Sequence, residues 1–230
     1  MSSASWAGWE QATCMPDSCF CEAVGEGLVR QPANTWSSLT FCVAALVMLV
    51  EWLRQRQTAR STAVEGALFV LAVFLVGVTS AFYHASLTFL GQTLDVQSMY
   101  LVVVLALAVN VDAWRAGQPR RFLATYLGGN VALGVLLITV PVLRRFAFAG
   151  VIAAVIASEV ALRRAKRRDW APGWLWLAAG VQGVAFVIWV LDGTHVLCDP
   201  GSLLQGHAAW HTLGAFASFG LWRYFRGPGA

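Results

Sequence analysis

Seven apolar runs, at about residues 35–53, 65–84, 94–111, 122–142, 146–162, 173–191 and 207–225, dominate this 230-residue chain. Each approaches the roughly 20 residues that carry an α-helix across a bilayer. The runs are continuous rather than alternating, so they predict helices, which satisfy their own backbone hydrogen bonds in lipid, and not the strands of a barrel. Composition agrees, with 58% hydrophobic and 12% charged residues, against about a quarter charged in an average soluble domain. The expected fold is an all-α polytopic membrane protein: an N-terminal cap over residues 1–34, then a domain of seven transmembrane helices over 35–226. The fifth run is the weakest, being short and carrying Glu159 near its end. A six-span chain with a re-entrant segment is the alternative.

Orientation follows from the basic residues. Arg54, Arg56, Arg60, Arg115, Arg120, Arg121, Arg163, Arg164, Lys166, Arg167, Arg168, Arg223 and Arg226 all fall on one side of a seven-span chain, and only Arg30, Arg144 and Arg145 on the other. The positive-inside rule then puts the N-terminus outside and the C-terminus in the cytoplasm. Topology accounts for the net charge of +4, and no nucleic-acid partner is expected. Residues 1–20 lack the basic and apolar regions of a cleavable signal peptide, so the first span is expected to be its own targeting signal. The 15 arginines against one lysine suggest a GC-rich, bacterial genome, hence an inner membrane with the outer side toward the periplasm.

On this topology all four histidines, His84, His195, His207 and His211, reach the outer level. Ser80 and His84 are four apart, as are His207 and His211 in GHAAWHTL, so each pair lies on one helix face. Two histidines so spaced can reach one ion, and His84 from a second helix makes three imidazoles, the number a catalytic zinc commonly takes. Asp95, at the start of the third span, can hydrogen-bond a ligand's second nitrogen or a water at the metal. A lone histidine at a helix end is more often a hydrated polar residue, and it is the coincidence on one face that favours metal. Asp192, at the outer end of the sixth span, caps or pairs near the site, with direct metal ligation as the alternative. His195 lines the entrance or is simply solvated.

The same residues carry a family likeness. SAFYH, the aspartate at 95, WVLD at 189–192, GHAAWH and the N-terminal CE and NTWSSL stretches resemble the alkaline ceramidases, seven-span hydrolases grouped with the progestin and adipoQ receptors. The resemblance implies zinc held by His84, His207 and His211, with Ser80 and Asp95 catalytic beside it. It further implies hydrolysis of a lipid amide, ceramide or another acyl lipid, to a fatty acid and an amine. A metal-activated water would attack, Asp95 would act as base and then acid, and Ser80 would stabilise the oxyanion. A disulfide from the cap to the loop before the last helix is also implied, with Cys21 to Cys198 preferred and Cys19 as the other candidate. The family's acidic calcium site is only partly matched: Asp17, Glu22 and Asn34 are the candidates, but Ser18 and Gln31 stand where its pattern differs.

Other function classes are less well matched. A receptor-like, lipid-binding member of the superfamily with a structural zinc is the main alternative, and intact Ser80 and Asp95 argue against it. A thiol oxidoreductase would use C-x-C rather than C-x-x-C and leaves the histidines unexplained. No inverted repeat or broken helix pair suggests a transporter.

Overall fold

Lipid leaves an apolar chain few choices of backbone, and the computed structural model, which describes residues 6–15, 19–54, 62–114 and 118–227, is helical wherever the apolar runs fall. Its helices are α1 (Pro32–Arg54), α2 (Ala63–Ser86), α3 (Phe89–Trp114), α4 (Pro119–Thr139), α5 (Arg144–Arg164), α6 (Gly173–Gly193) and α7 (Gly206–Arg226). A single 3-10 turn, Pro141–Leu143, leads into α5. Among the described residues there is no named strand, only an isolated bridge between Gln11 and Thr88.

Six of these helices, α1 to α6, are long and apolar enough to cross a membrane, and the chain is an all-helical integral membrane protein. The fifth run, expected to be the weakest, is among them. Its Glu159 is buried but meets Arg163 Nε at 3.0 Å and Arg168 Nε at 3.7 Å, so the charge is paired, as intramembrane carboxylates usually are. The seventh is the helix that falls short in apolarity. Eleven of its 21 residues are buried against α1, α2 and α6, so protein rather than lipid surrounds much of it, and polar side chains there are tolerated.

Local chemistry fixes the helix ends. Thr62 and Glu65 close a capping box at the start of α2, with Glu65 N–H to Thr62 Oγ1 at 3.2 Å and Thr62 N–H to Glu65 Oε2 at 2.7 Å. Leu87, with φ 48°, ends α2 in the left-handed conformation and donates its N–H to Tyr83 O at 2.6 Å. The cap is tied to this turn, because Ala12 N–H reaches Leu87 O at 2.9 Å and Phe89 N–H reaches Glu10 O at 2.8 Å.

The chain divides into two compact units. One holds Met1–Asp95 and Pro172–Ala230, hence α1, α2, α6, α7 and the first turns of α3. All the candidate site residues belong to it. The other, Val96–Ala171, holds the rest of α3 with α4 and α5. Its interior carries a polar cluster in which Arg168 Nη2 donates to Asn110 Oδ1 at 2.9 Å and Asn110 Nδ2 to Ser158 Oγ at 3.0 Å.

Candidate metal centre

The last turn of α2 and the first turns of α1 and α7 converge at one end of the first unit. Helix periodicity places Ser80 and His84 on one face of α2 and His207 and His211 on one face of α7, as expected from their spacing. His84, His207 and His211 are buried, and each offers a ligand atom within 4.8 Å of the others. They come from two helices, and among the described residues theirs is the one such group of His, Cys, Asp and Glu.

Residues of α1 and the chain before it determine which ring nitrogens face inward. Gln31 is fully buried; its Nε2 donates to Glu22 O at 3.1 Å, and its Oε1 lies 3.0 Å from His84 Nδ1. An amide oxygen only accepts, so His84 carries its proton on Nδ1 and keeps the Nε2 lone pair free. That Nε2 lies 3.1 Å from His207 Nε2. His211 is held in the same sense. Its Nδ1 lies 2.9 Å from Ser37 Oγ and 3.3 Å from Ser38 Oγ, hydroxyls that themselves donate to Asn34 O. Its Nε2 faces Ser80 Oγ at 3.3 Å. His207 Nδ1 is buried without a hydrogen-bond partner, and Phe20 stacks on the His207 ring at 3.6 Å between centroids.

This donor set fits a metal. Three imidazoles, two with their outer nitrogens tied and their inner ones turned into the cluster, are the ligands a borderline cation such as zinc accepts. His207 has one buried nitrogen without a hydrogen-bond partner and its other nitrogen in the cluster, so it is not a fully satisfied core residue. Ser80 also hydrogen-bonds the buried Asp95, so one hydroxyl touches both a histidine of the cluster and the carboxylate on α3. All five residues singled out in the sequence thus lie in one connected cluster.

Asp192 lies beside the cluster without joining it. Its Oδ1 accepts His207 N–H at 3.0 Å and its Oδ2 accepts Cys21 N–H at 3.1 Å. A carboxylate from α6 therefore caps α7 and pins the cap loop with the same group. Gly206 permits the approach, since a Cβ there would lie 2.9 Å from Asp192 Cβ. The cap is closed by the Cys21–Cys198 disulfide, the preferred pairing, and by Cys14–Cys19, which sequence reasoning missed. His195 is exposed, with its Nδ1 3.7 Å from Cys198 Sγ.

Of the calcium candidates, Asp17 lies outside the described residues. Glu22 accepts the N–H groups of Ala33 at 2.6 Å and Asn34 at 2.9 Å, capping α1 with both oxygens. Burial pushes the Glu22 carboxyl above its ordinary pKa; the amides of Asn34 and Ala33 offset part of the rise, and the charge of Asp192 adds to it. Asn34 Oδ1 is buried without a hydrogen-bond partner. Sequence reasoning noticed Gln31 only as a departure from the calcium pattern, and it took Ser37 and Ser38 only as part of the NTWSSL likeness, with no role beside a histidine.

Comparison with known proteins places the chain in a family. A Dictyostelium discoideum protein that carries the name "Putative alkaline ceramidase" is 26% identical over 176 residues, 67% of this chain and 61% of that protein. The chain thus spans about three-fifths of the length of the curated relative it matches. The family profile described as Ceramidase matches residues 20–226, nearly the whole span from the cap cysteines to the end of α7, and the chain belongs to the ceramidase family.

Proposed function

We propose that the protein is a zinc-dependent hydrolase of lipid amides, acting on ceramide or a related N-acyl lipid and releasing a fatty acid and an amine. The observation that carries this reading is the buried cluster of three histidines, His84, His207 and His211, with a Ser80–Asp95 pair against it. Family membership and the relative's name support the substrate class. Zinc bound at three imidazoles would supply an acidified water and a Lewis acid near neutral pH. His84, His207 and His211 would hold the ion, with the inward nitrogens of His84 and His211 oriented by Gln31, Ser37 and Ser38. Asp95 accepts the proton of the attacking water at a carboxylate oxygen and returns it to the leaving nitrogen. Ser80 donates its O–H to the developing oxyanion. Phe20, stacked on His207, and the burial of the three histidines keep bulk water from the cluster, which strengthens each of these interactions.

The test is metal analysis with lipid hydrolysis on purified protein. About one zinc per chain is expected, with fatty acid released from N-acyl sphingoid bases. His207→Ala should lose both, and Asp95→Asn should keep the metal while losing the release. Zinc without hydrolysis of any lipid class would favour the receptor-like reading instead.

The histidine end faces the outer side of a bacterial inner membrane in this proposal, on the strength of the basic residues at the opposite helix ends. An impermeant maleimide should therefore label Glu26→Cys on intact cells and leave Lys166→Cys unlabelled. The reverse pattern would invert the topology.

A further inference from the structure

Loop 194–205, between α6 and α7, has a fixed shape and a polar interior. Cys198 is disulfide-bonded to Cys21, and Pro200 O accepts Ala23 N–H at 3.0 Å. The buried Gln205 donates Nε2 to Asp199 O at 3.0 Å and Ser202 O at 2.6 Å, and Leu204 N–H donates to Ser202 Oγ at 3.0 Å. Beside the exposed Thr194, His195 and Asp199, the loop turns large apolar side chains outward. Leu203 is 88% and Leu204 92% exposed, more than any other large hydrophobic side chain among the described residues, and Val196 and Leu197 are exposed beside the end of α6.

Two leucines this exposed on a loop tethered by a disulfide call for an apolar neighbour, since solvent-facing loops are ordinarily polar. Its position says which neighbour. On α6, Val184, Val187 and Val190 are exposed at helical spacing, and α6 is long and apolar enough to cross a membrane, so this stripe faces lipid. Val196 and Leu197 continue it without a break in the chain, their N–H groups folding back onto Leu191 O at 3.0 and 3.4 Å. The apolar surface therefore runs from a lipid-facing helix onto the loop.

We propose that loop 194–205 inserts Leu203 and Leu204 into the hydrocarbon of the leaflet at the histidine end. This edge forms the threshold over which an acyl lipid passes toward His207, three residues beyond Leu204. The lipid contact stands by itself; the passage rests on the hydrolase reading.

A nitroxide on Leu204→Cys, in a Cys42→Ser background and in lipid nanodiscs, tests the contact. Collisions with oxygen should exceed those with a water-soluble nickel chelate, and a label at Glu26→Cys in the cap should show the opposite order. Nickel collisions dominating at position 204 would overturn the proposal. So would exclusion of both reagents with spin–spin broadening, which would mean that a second copy covers the loop. For the passage, the Leu203→Asp/Leu204→Asp pair should retain its zinc and lose roughly tenfold in kcat/KM on bilayer-embedded lipid, about the worth of one buried leucine. Unchanged kcat/KM would remove the passage and leave the contact. A protein that hydrolyses no lipid would remove the passage together with the hydrolase reading, while the spin label still decides the contact.

Discussion

His84 shows how one side chain's chemistry is decided by another far away in the sequence. Its Nδ1 proton points to Gln31 Oε1 at 3.0 Å, and Gln31 is itself fixed through Glu22 O at 3.1 Å. A metal-ligating imidazole whose second nitrogen loses its partner typically loses about 10–100-fold in metal affinity. Gln31→Leu should therefore weaken zinc retention by roughly that factor, read by competition with a chromophoric chelator, whereas Gln31→Glu, which still accepts the proton, should keep it. Equal retention in both variants would mean that packing alone orients His84. The histidines themselves were legible in the sequence because a spacing of four declares a shared helix face. Gln31, Ser37 and Ser38 were not, because spacing along one helix carries no information about the rotation of its neighbour, and each acts on a histidine of another helix.

The registers that bring these side chains together are set where helices touch most closely. On α2, Gly77 lies against α1 so tightly that a Cβ would meet Cys42 N at 2.9 Å, and its sulfur closer still. Small residues at such crossings let helix backbones approach within lipid, where no hydrophobic drive pushes helices together. Gly77→Ala should cost about 1–3 kcal/mol by overpacking, visible as a lower thermal midpoint in detergent. Because Ser80 and His84 follow on the same helix within two turns, zinc content should fall with it. A variant of unchanged stability would show that the backbone of α1 yields. The helices were readable as apolar runs, but Gly77 looked like any other glycine in an oily segment. The lower apolarity of α7 likewise became intelligible only once its burial against α1, α2 and α6 was seen.

At the scale of the molecule, the solvent made the fold legible: a bilayer admits few backbones, so length and apolarity were enough to mark the helices. The cap is the opposite case, since it has no period to read. Cys14–Cys19 went unforeseen because a short cysteine spacing fits several pairings, while Cys21–Cys198 was anticipated through the family likeness. The two bridges should differ in consequence. The first joins cysteines five residues apart and the second cysteines 177 apart, and a cross-link that closes the longer loop removes more freedom from the unfolded chain. The second also holds Phe20, one residue from Cys21, over His207 at 3.6 Å, and joins the capping of α7 by Asp192 to the cap itself. Cys198→Ser should consequently lower stability by roughly 2–4 kcal/mol and quicken zinc loss to a chelator. The Cys14→Ser/Cys19→Ser pair should do less of both. Thermal unfolding and chelator kinetics on the two variants under non-reducing conditions decide the matter. If the short bridge proved as costly as the long one, the cap would owe its place to its own packing and not to the tether that closes it over the histidines.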